Sequence, residues 1–264
     1  AATLAALLAE RDPIRGGDVD LGLRMDVVTG KRQMAAAHGP TVARIRQEAK
    51  RLNRTQHDRG PDDIGVLAAL AYPDRVGLRR KGDAPRYVLS GGKGAILPET
   101  DAMAGARLIV ATDLDGNPRE ARVRQAVRIS EAELRTTFPD QIVWQNVCLW
   151  SRRDGAVLSR KHETFGALVL DDRTWPDAPR ETVARAMLDG VRQLGLIPSA
   201  AAARFLARAR LMQDGFPDFS EAHLLDTLED WLLPHLGTAR STAKHGTAIW
   251  VLRIVSAGAT NCTA

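Results

Sequence analysis

Between Arg75 and Gly94 the chain reads R-V-G-L-R-R-K-G-D-A-P-R-Y-V-L-S-G-G-K-G, with six Lys or Arg against one Asp. That +5 in twenty residues equals the formal net charge of the whole 264-residue chain. Arg79, Arg80, Lys81 and Arg86 lead into a short β-like run at Tyr87, and Lys93 stands in a turn built from Gly91, Gly92 and Gly94. Guanidinium and ammonium groups pair with phosphate, and residues without side chains let a phosphodiester backbone approach closely. A charged edge hairpin that uses its cations to block strand pairing would read the same way. Tyr87 is the one aromatic inside the segment, so charge is expected to contribute more than base stacking. Arg51 and Arg54, on a helical run from Val42, form a second cationic set, which a solvated helix face also accounts for.

Other chemistry is missing. A phosphate loop needs G-x-x-x-x-G-K-[ST], and the lysine of Gly91-Gly92-Lys93-Gly94 is not followed by Ser or Thr. Asp113-Leu-Asp115-Gly116-Asn117 has a calcium-loop flavour but lacks the remaining ligands, and reads as a hairpin turn. His38, His57, His162, His223, His235 and His245 are scattered, with no i, i+4 pair for a metal. Ser90 lacks the preceding glycine of a nucleophile elbow. No catalytic residue, metal site or cofactor is expected in this chain. Cys148 and Cys262 form no framework, which makes a reducing, cytoplasmic setting the default. No apolar run reaches the roughly 20 residues of a membrane span. The first residues, Ala1-Ala-Thr-Leu-Ala-Ala-Leu-Leu-Ala-Glu10, lack a Met and a basic lead-in, so the chain is expected to begin inside a larger protein.

These residues must be carried by three kinds of segment. Up to about residue 74 the periodicity is helical: Val42, Ile45, Ala49 and Leu52 share a face, and Asp62 and Asp63 start a helix through Ile64, Leu67 and Ala71 that Pro73 stops. From Arg75 to about Asp172 it turns β-like. Runs at Tyr87–Leu89, Arg107–Ala111, Ala121–Ile129 and Gln141–Trp150 are separated by turns at Gly91-Gly92, Asp115-Gly116-Asn117 and Asp154-Gly155. Val123, Val127 and Ile129 fall on one side of their strand and Arg122, Arg124 and Arg128 on the other, and Ser130 caps a short helix over 131–138. Five or six short strands with one inserted helix suit a small barrel. After Trp175 three helical stripes follow: Val183, Met187, Val191 and Leu194; Ala202, Phe205, Ala209 and Met212; and Leu225, Leu228 and Leu232, the last capped by Ser220 and stopped at Pro234. Beyond Thr238 the sequence loses periodicity, apart from an apolar run over Ile249–Val255.

In order along the chain, several blocks resemble the C-terminal region of the HrpB family of bacterial DEAH-box ATP-dependent helicases. They are Leu7-Leu-Ala-Glu-Arg-Asp-Pro13 with Gly17-Asp-Val-Asp-Leu21; Leu67-Ala-Ala-Leu-Ala-Tyr-Pro-Asp-Arg-Val76; Tyr87-Val-Leu-Ser-Gly-Gly-Lys-Gly-Ala-Ile-Leu-Pro98; Leu108-Ile-Val-Ala-Thr-Asp-Leu-Asp115; Phe165-Gly-Ala-Leu-Val-Leu170; and Leu225-Asp-Thr-Leu-Glu-Asp-Trp-Leu-Leu-Pro-His-Leu-Gly237. The resemblance covers about residues 4 to 238. It implies an α+β chain: a helical, ratchet-like helicase-associated segment over 1–74, an OB-like β-barrel over 75–173, and the helical start of a C-terminal extension over 174–238. A tail over 239–264 departs from the family and is expected to be poorly ordered. The family's RecA-like motor domains, with the phosphate loop and DEAH box that use ATP and Mg, would precede Ala1, so no ATP hydrolysis is expected of this chain alone. Its expected role is to grip single-stranded RNA or DNA for that motor. A protein-interaction or structural segment, or an inactive fragment, without nucleic-acid binding is the alternative.

Overall fold

Two of the early helices start at a short acceptor just before an apolar run. Asp20 accepts the Gly22 amide at 2.8 Å to open helix α2 (Leu21–Thr29), and Asp63 accepts the Val66 amide at 3.0 Å to open α4 (Ile64–Ala71), as its position in the sequence predicts. The computed structural model describes residues 1–14, 16, 18–55, 63–196, 198–211 and 218–236; the tail over 239–264 and its apolar run lie outside them. The chain divides into two compact units, Ala1–Trp144 with Glu163–Asp171, and Gln145–His162 with Asp172–Ala264.

The first unit opens with α1 (Ala2–Ala9), α2 (Leu21–Thr29), α3 (Gly39–Thr55) and α4 (Ile64–Ala71). The buried Leu4, Leu7, Leu21, Val28, Ile45 and Ala49 join one apolar cluster with Val76, Leu108, Val110, Val127 and Ile129. Arg24 of α2, buried to 3% exposure, pairs with Asp12 at 2.9 Å and donates to the Asp18 and Asp20 carbonyls, so a buried charge is neutralised by the loop that precedes its helix. That loop is tied onward: the Val19 amide donates to Asp101 at 2.8 Å, and the Val19 carbonyl accepts from Ala126 at 2.9 Å.

Five strands follow: β1 (Val76–Arg79), β2 (Arg86–Leu89), β3 (Gly94–Ile96), β4 (Leu108–Leu114) and β5 (Glu120–Arg128). They close into a barrel in the order β1-β2-β3-β5-β4, with β4 returning to β1. Every pairing is antiparallel except β3 with β5. The chain is α+β and the barrel is OB-like. Tyr87, Leu89, Ala95, Leu97, Ile109, Ala111 and Val123 fill its interior. β4 is apolar at consecutive positions because both faces are buried: Ile109 and Ala111 point into the barrel, Leu108 and Val110 toward the helices.

Two features differ from the sequence expectation. The helix capped by Ser130, α5 (Glu131–Thr137), lies between strands as expected but follows the last strand of the barrel; its capping box is complete, with Ser130 and Glu133 each accepting the other's amide. The run at Gln141–Trp150 does not join the barrel. It forms β6 (Ile142–Ser151), which pairs with β7 (Ala156–Phe165) and β8 (Leu168–Thr174) in a three-stranded sheet. The polar stretch Arg160-Lys-His-Glu-Thr164 hides β7 from a hydrophobicity reading.

In the second unit α6 (Arg180–Leu194) buries Val183, Met187 and Leu188 with Trp150 and Val157. A Cβ at Gly190 would overlap the Trp150 ring, so this mid-helix glycine makes room for an indole. Leu194, expected inward, is 50% exposed. After α7 (Ala200–Leu211) the third stripe is broken into α8 (Glu221–Asp226), α9 (Leu228–Trp231) and α10 (Leu233–Leu236), and Pro234 sits inside α10 rather than ending a helix. Ser220 caps α8, and Leu228 and Leu232 are buried, as their spacing predicts.

Two outcomes follow from the barrel. Tyr87 has no exposed surface, and its hydroxyl donates to the Ala106 carbonyl at 2.8 Å. Tyr87→Phe should therefore cost about 1 kcal/mol and Tyr87→Ala about 3–5 kcal/mol in urea unfolding; an unchanged midpoint for Tyr87→Ala would contradict the burial. In the β4–β5 loop, Asp115 accepts the Asn117 and Arg122 amides at 3.1 and 2.9 Å, and those two bonds, the Asn117 one first, hold its carboxyl below the ordinary 3.8. A lowered folded value means the tether is fully present above the unfolded value and is lost as pH falls through the folded one. NMR shifts of the Asn117 and Arg122 amides should thus titrate with a midpoint under 3.8, and a midpoint at or above it would remove the tether.

Candidate nucleic-acid interface

The barrel sorts the cationic segment by strand parity and by strand end. Arg79 ends β1 half-buried, its Nε donating to the Ala104 carbonyl at 3.0 Å and its Nη2 to Asp83 at 3.1 Å, so it braces two loops from within. Arg80 and Lys81 stand exposed in the loop that follows. Arg86 opens β2 facing outward, 54% exposed, with Nε 3.4 Å from a Glu120 carboxylate oxygen. An ion pair this open contributes at most about 1 kcal/mol.

Tyr87 is corrected: it faces the barrel interior and cannot stack on a base. Burial pushes its phenol upward from the usual value of 10.0, which keeps the hydroxyl a neutral donor to its carbonyl partners. Gly91 and Gly94 are corrected too, since the molecule itself takes up the space they leave. The Gly91 amide donates to Asp74 at 2.9 Å, and a Cβ there would stand 3.0 Å from that same carbonyl. Gly92 turns the chain at φ 90°. Gly94 is buried, and a Cβ on it would meet the Arg119 carbonyl at 3.0 Å across the β3–β5 pairing. The Ser90 carbonyl accepts the Ala167 amide at 2.8 Å beside the same turn. Lys93 remains exposed there, but at the opposite end of β2 from Arg80 and Lys81. A four-residue strand places its two ends about 10 Å apart. The expected single cluster around a bare bend is therefore two groups joined by a sheet face.

That face is what the register builds. Arg86 pairs with Ile96, and Ile96 with Arg122, giving one row across β2, β3 and β5. Arg122 and Arg124 point outward from β5, where Ala121 and Val123 point inward. Arg119 precedes β5 and lies beside Lys93, since Gly94 and Glu120 are register partners. Among the described residues, the side chains of Arg80, Lys81, Lys93, Arg119, Arg122 and Arg124 make no ion pair or hydrogen bond. The alternation at 122–128 is visible in the sequence; that β5 lies beside β3 is not. Further along β5, Arg128 donates to the Ala102 carbonyl at 2.6 Å and leaves the set.

The helical candidates stand differently. Arg51 forks onto Glu48 at 2.6–3.1 Å, while Arg54 is exposed in the last turn of α3, where a cation also suits the helix dipole. Among the described residues no group of His, Cys, Asp and Glu could hold a metal, and no helix is long and apolar enough to cross a membrane.

No family model matches the chain. The ATP-dependent RNA helicase HrpB of Escherichia coli (strain K12) is 30% identical over 247 residues, which is 89% of this chain and 29% of the relative. The crystal structure of the E. coli DExH-box NTPase HrpB aligns with a TM-score of 0.51 at 28% identity, covering 97% of this chain and 31% of that one. A crystal structure of the Escherichia coli DEAH/RHA helicase HrpB gives 0.51 at 25% identity over 95% and 30%. The chain thus spans less than a third of the length of these relatives. In sequence and in fold alike, the chain is similar to a segment of an HrpB-like helicase.

Proposed function

We propose that this chain is the nucleic-acid-binding accessory portion of an ATP-dependent helicase, and that the outward face of β2, β3 and β5 grips a single strand. The carrying observation is the set of six exposed, unpaired cations around that face: Arg80 and Lys81 at one end, Lys93 and Arg119 at the other, Arg122 and Arg124 between. Barrels of this topology use the face of strands 2 and 3 and the loops beside it to hold oligonucleotides. The relative's name gives an RNA helicase, which makes single-stranded RNA the first ligand to test and DNA the second. In this reading ATP binding and hydrolysis belong to RecA-like motor domains outside the chain, with which it works. Contact is through phosphate, since β2, β3 and β5 carry no aromatic residue except the buried Tyr87.

Fluorescence anisotropy of labelled single-stranded RNA and DNA against the full 264-residue chain tests this. Binding should weaken steeply with salt, and the variant Arg80→Gln/Lys81→Gln/Arg122→Gln/Arg124→Gln should bind at least about tenfold more weakly, with the log–log salt slope shallower by about 0.7 for each phosphate no longer neutralised. All four side chains are exposed and unpaired, so the variant should unfold where wild type does. Undetectable binding of either strand at low salt would leave the face as a docking surface for protein instead.

A further inference from the structure

Glu120 is the one acidic residue borne by β2, β3 or β5. It faces outward with Arg122 and Arg124, and its register partner on β3 is Gly94. Gly94 carries no side chain, so the Glu120 carboxylate can reach diagonally across β3 to Arg86 in the neighbouring row, where Oε1 lies 3.4 Å from Nε. Both partners are open to solvent, at 54% and 35% exposure, and Glu120 has no other side-chain partner among the described residues. The pair is therefore easily exchanged, and it lies where an incoming phosphate would meet Arg86.

Resting on the strand-binding reading above, we propose that Glu120 is a built-in counter-anion of this face. It occupies Arg86 while the face is empty and competes with phosphate for it, so the grip is weaker than the cation count alone would give, and a bound strand is released faster. A carboxylate that merely stabilised the barrel would leave affinity unchanged or lower it when removed; a competitor raises it.

The test measures affinity and dissociation rate of labelled single-stranded RNA for the full chain, wild type and Glu120→Gln, with Glu120→Ala as a second removal of the charge. Both variants should bind about 3- to 5-fold more tightly at low salt, dissociate more slowly, and steepen the salt slope by about 0.7, as one further neutralised phosphate would. In an Arg86→Gln background the gain should shrink, because the competed cation is gone. Tighter binding of equal size in both backgrounds would overturn the competition, as would no gain in folded Glu120→Gln or Glu120→Ala while wild type binds. Binding by none of the proteins would instead overturn the strand-binding reading, and this inference with it.

Discussion

Strand β5 is hydrogen-bonded along both edges, parallel to β3 and antiparallel to β4, and the barrel closes because one strand serves both. Its partner β4 slips register between Ala111 and Leu114, where Thr112 turns its hydroxyl to Gln125 at 3.0 Å and the buried polar atoms meet each other. The slip divides β5. Past it, Ala126 faces the barrel interior while Val127 joins the helical cluster, and α4 comes so close that a Cβ on Gly65 would stand 2.5 Å from the Arg128 carbonyl. Before it, no helix among the described residues covers the outer face, and that is where the exposed Arg122 and Arg124 stand. The same strand seals the core with one half and offers charge with the other.

Six unpaired cations on one face are compatible with folding because water keeps them cheap. Two unit charges about 10 Å apart repel by about 0.4 kcal/mol in bulk water, and physiological salt screens them over about 8 Å. The repulsion is too small to distort a barrel packed around fully buried Tyr87 and Ile109. A polyanion reverses the sign of every one of these small terms together. Cationic density of this kind is therefore nearly neutral for stability and decisive for binding, and salt affects the second far more than the first.

Much of this is legible in the sequence. The caps at Asp63 and Ser130, the doubly buried β4 and the outward parity of Arg122 and Arg124 are local, fixed by side-chain chemistry and a period of two. Tyr87 carries a signal of its burial as well: in Arg86-Tyr-Val-Leu89 it shares parity with Leu89, and the apolar side of a barrel strand faces in. Its place inside a cationic segment outweighs that signal when the residues are read in a row. The glycines carry none. Gly91 accommodates Asp74 and Gly94 accommodates Arg119, both brought near by pairings the sequence does not display. The partners that remove Arg79 and Arg128 from the unpaired set are carbonyls of the 102–104 loop, again distant in sequence.

Those corrections move the proposed grip rather than dissolve it. Behind Gly91 and Gly94 the Asp74 and Arg119 carbonyls take up the space that missing side chains would leave to a phosphate backbone. A sheet face needs no hollow, because the pleat already holds its outward side chains at fixed spacing, about 4.8 Å from strand to strand. Arg86 and Arg122, separated by β3, are positioned by the ladder rather than by loop conformation. An interface built from such a row, without an aromatic platform, gains affinity one phosphate at a time and can lose it the same way. On the proposed reading, that suits a surface across which a strand must be held and then passed on.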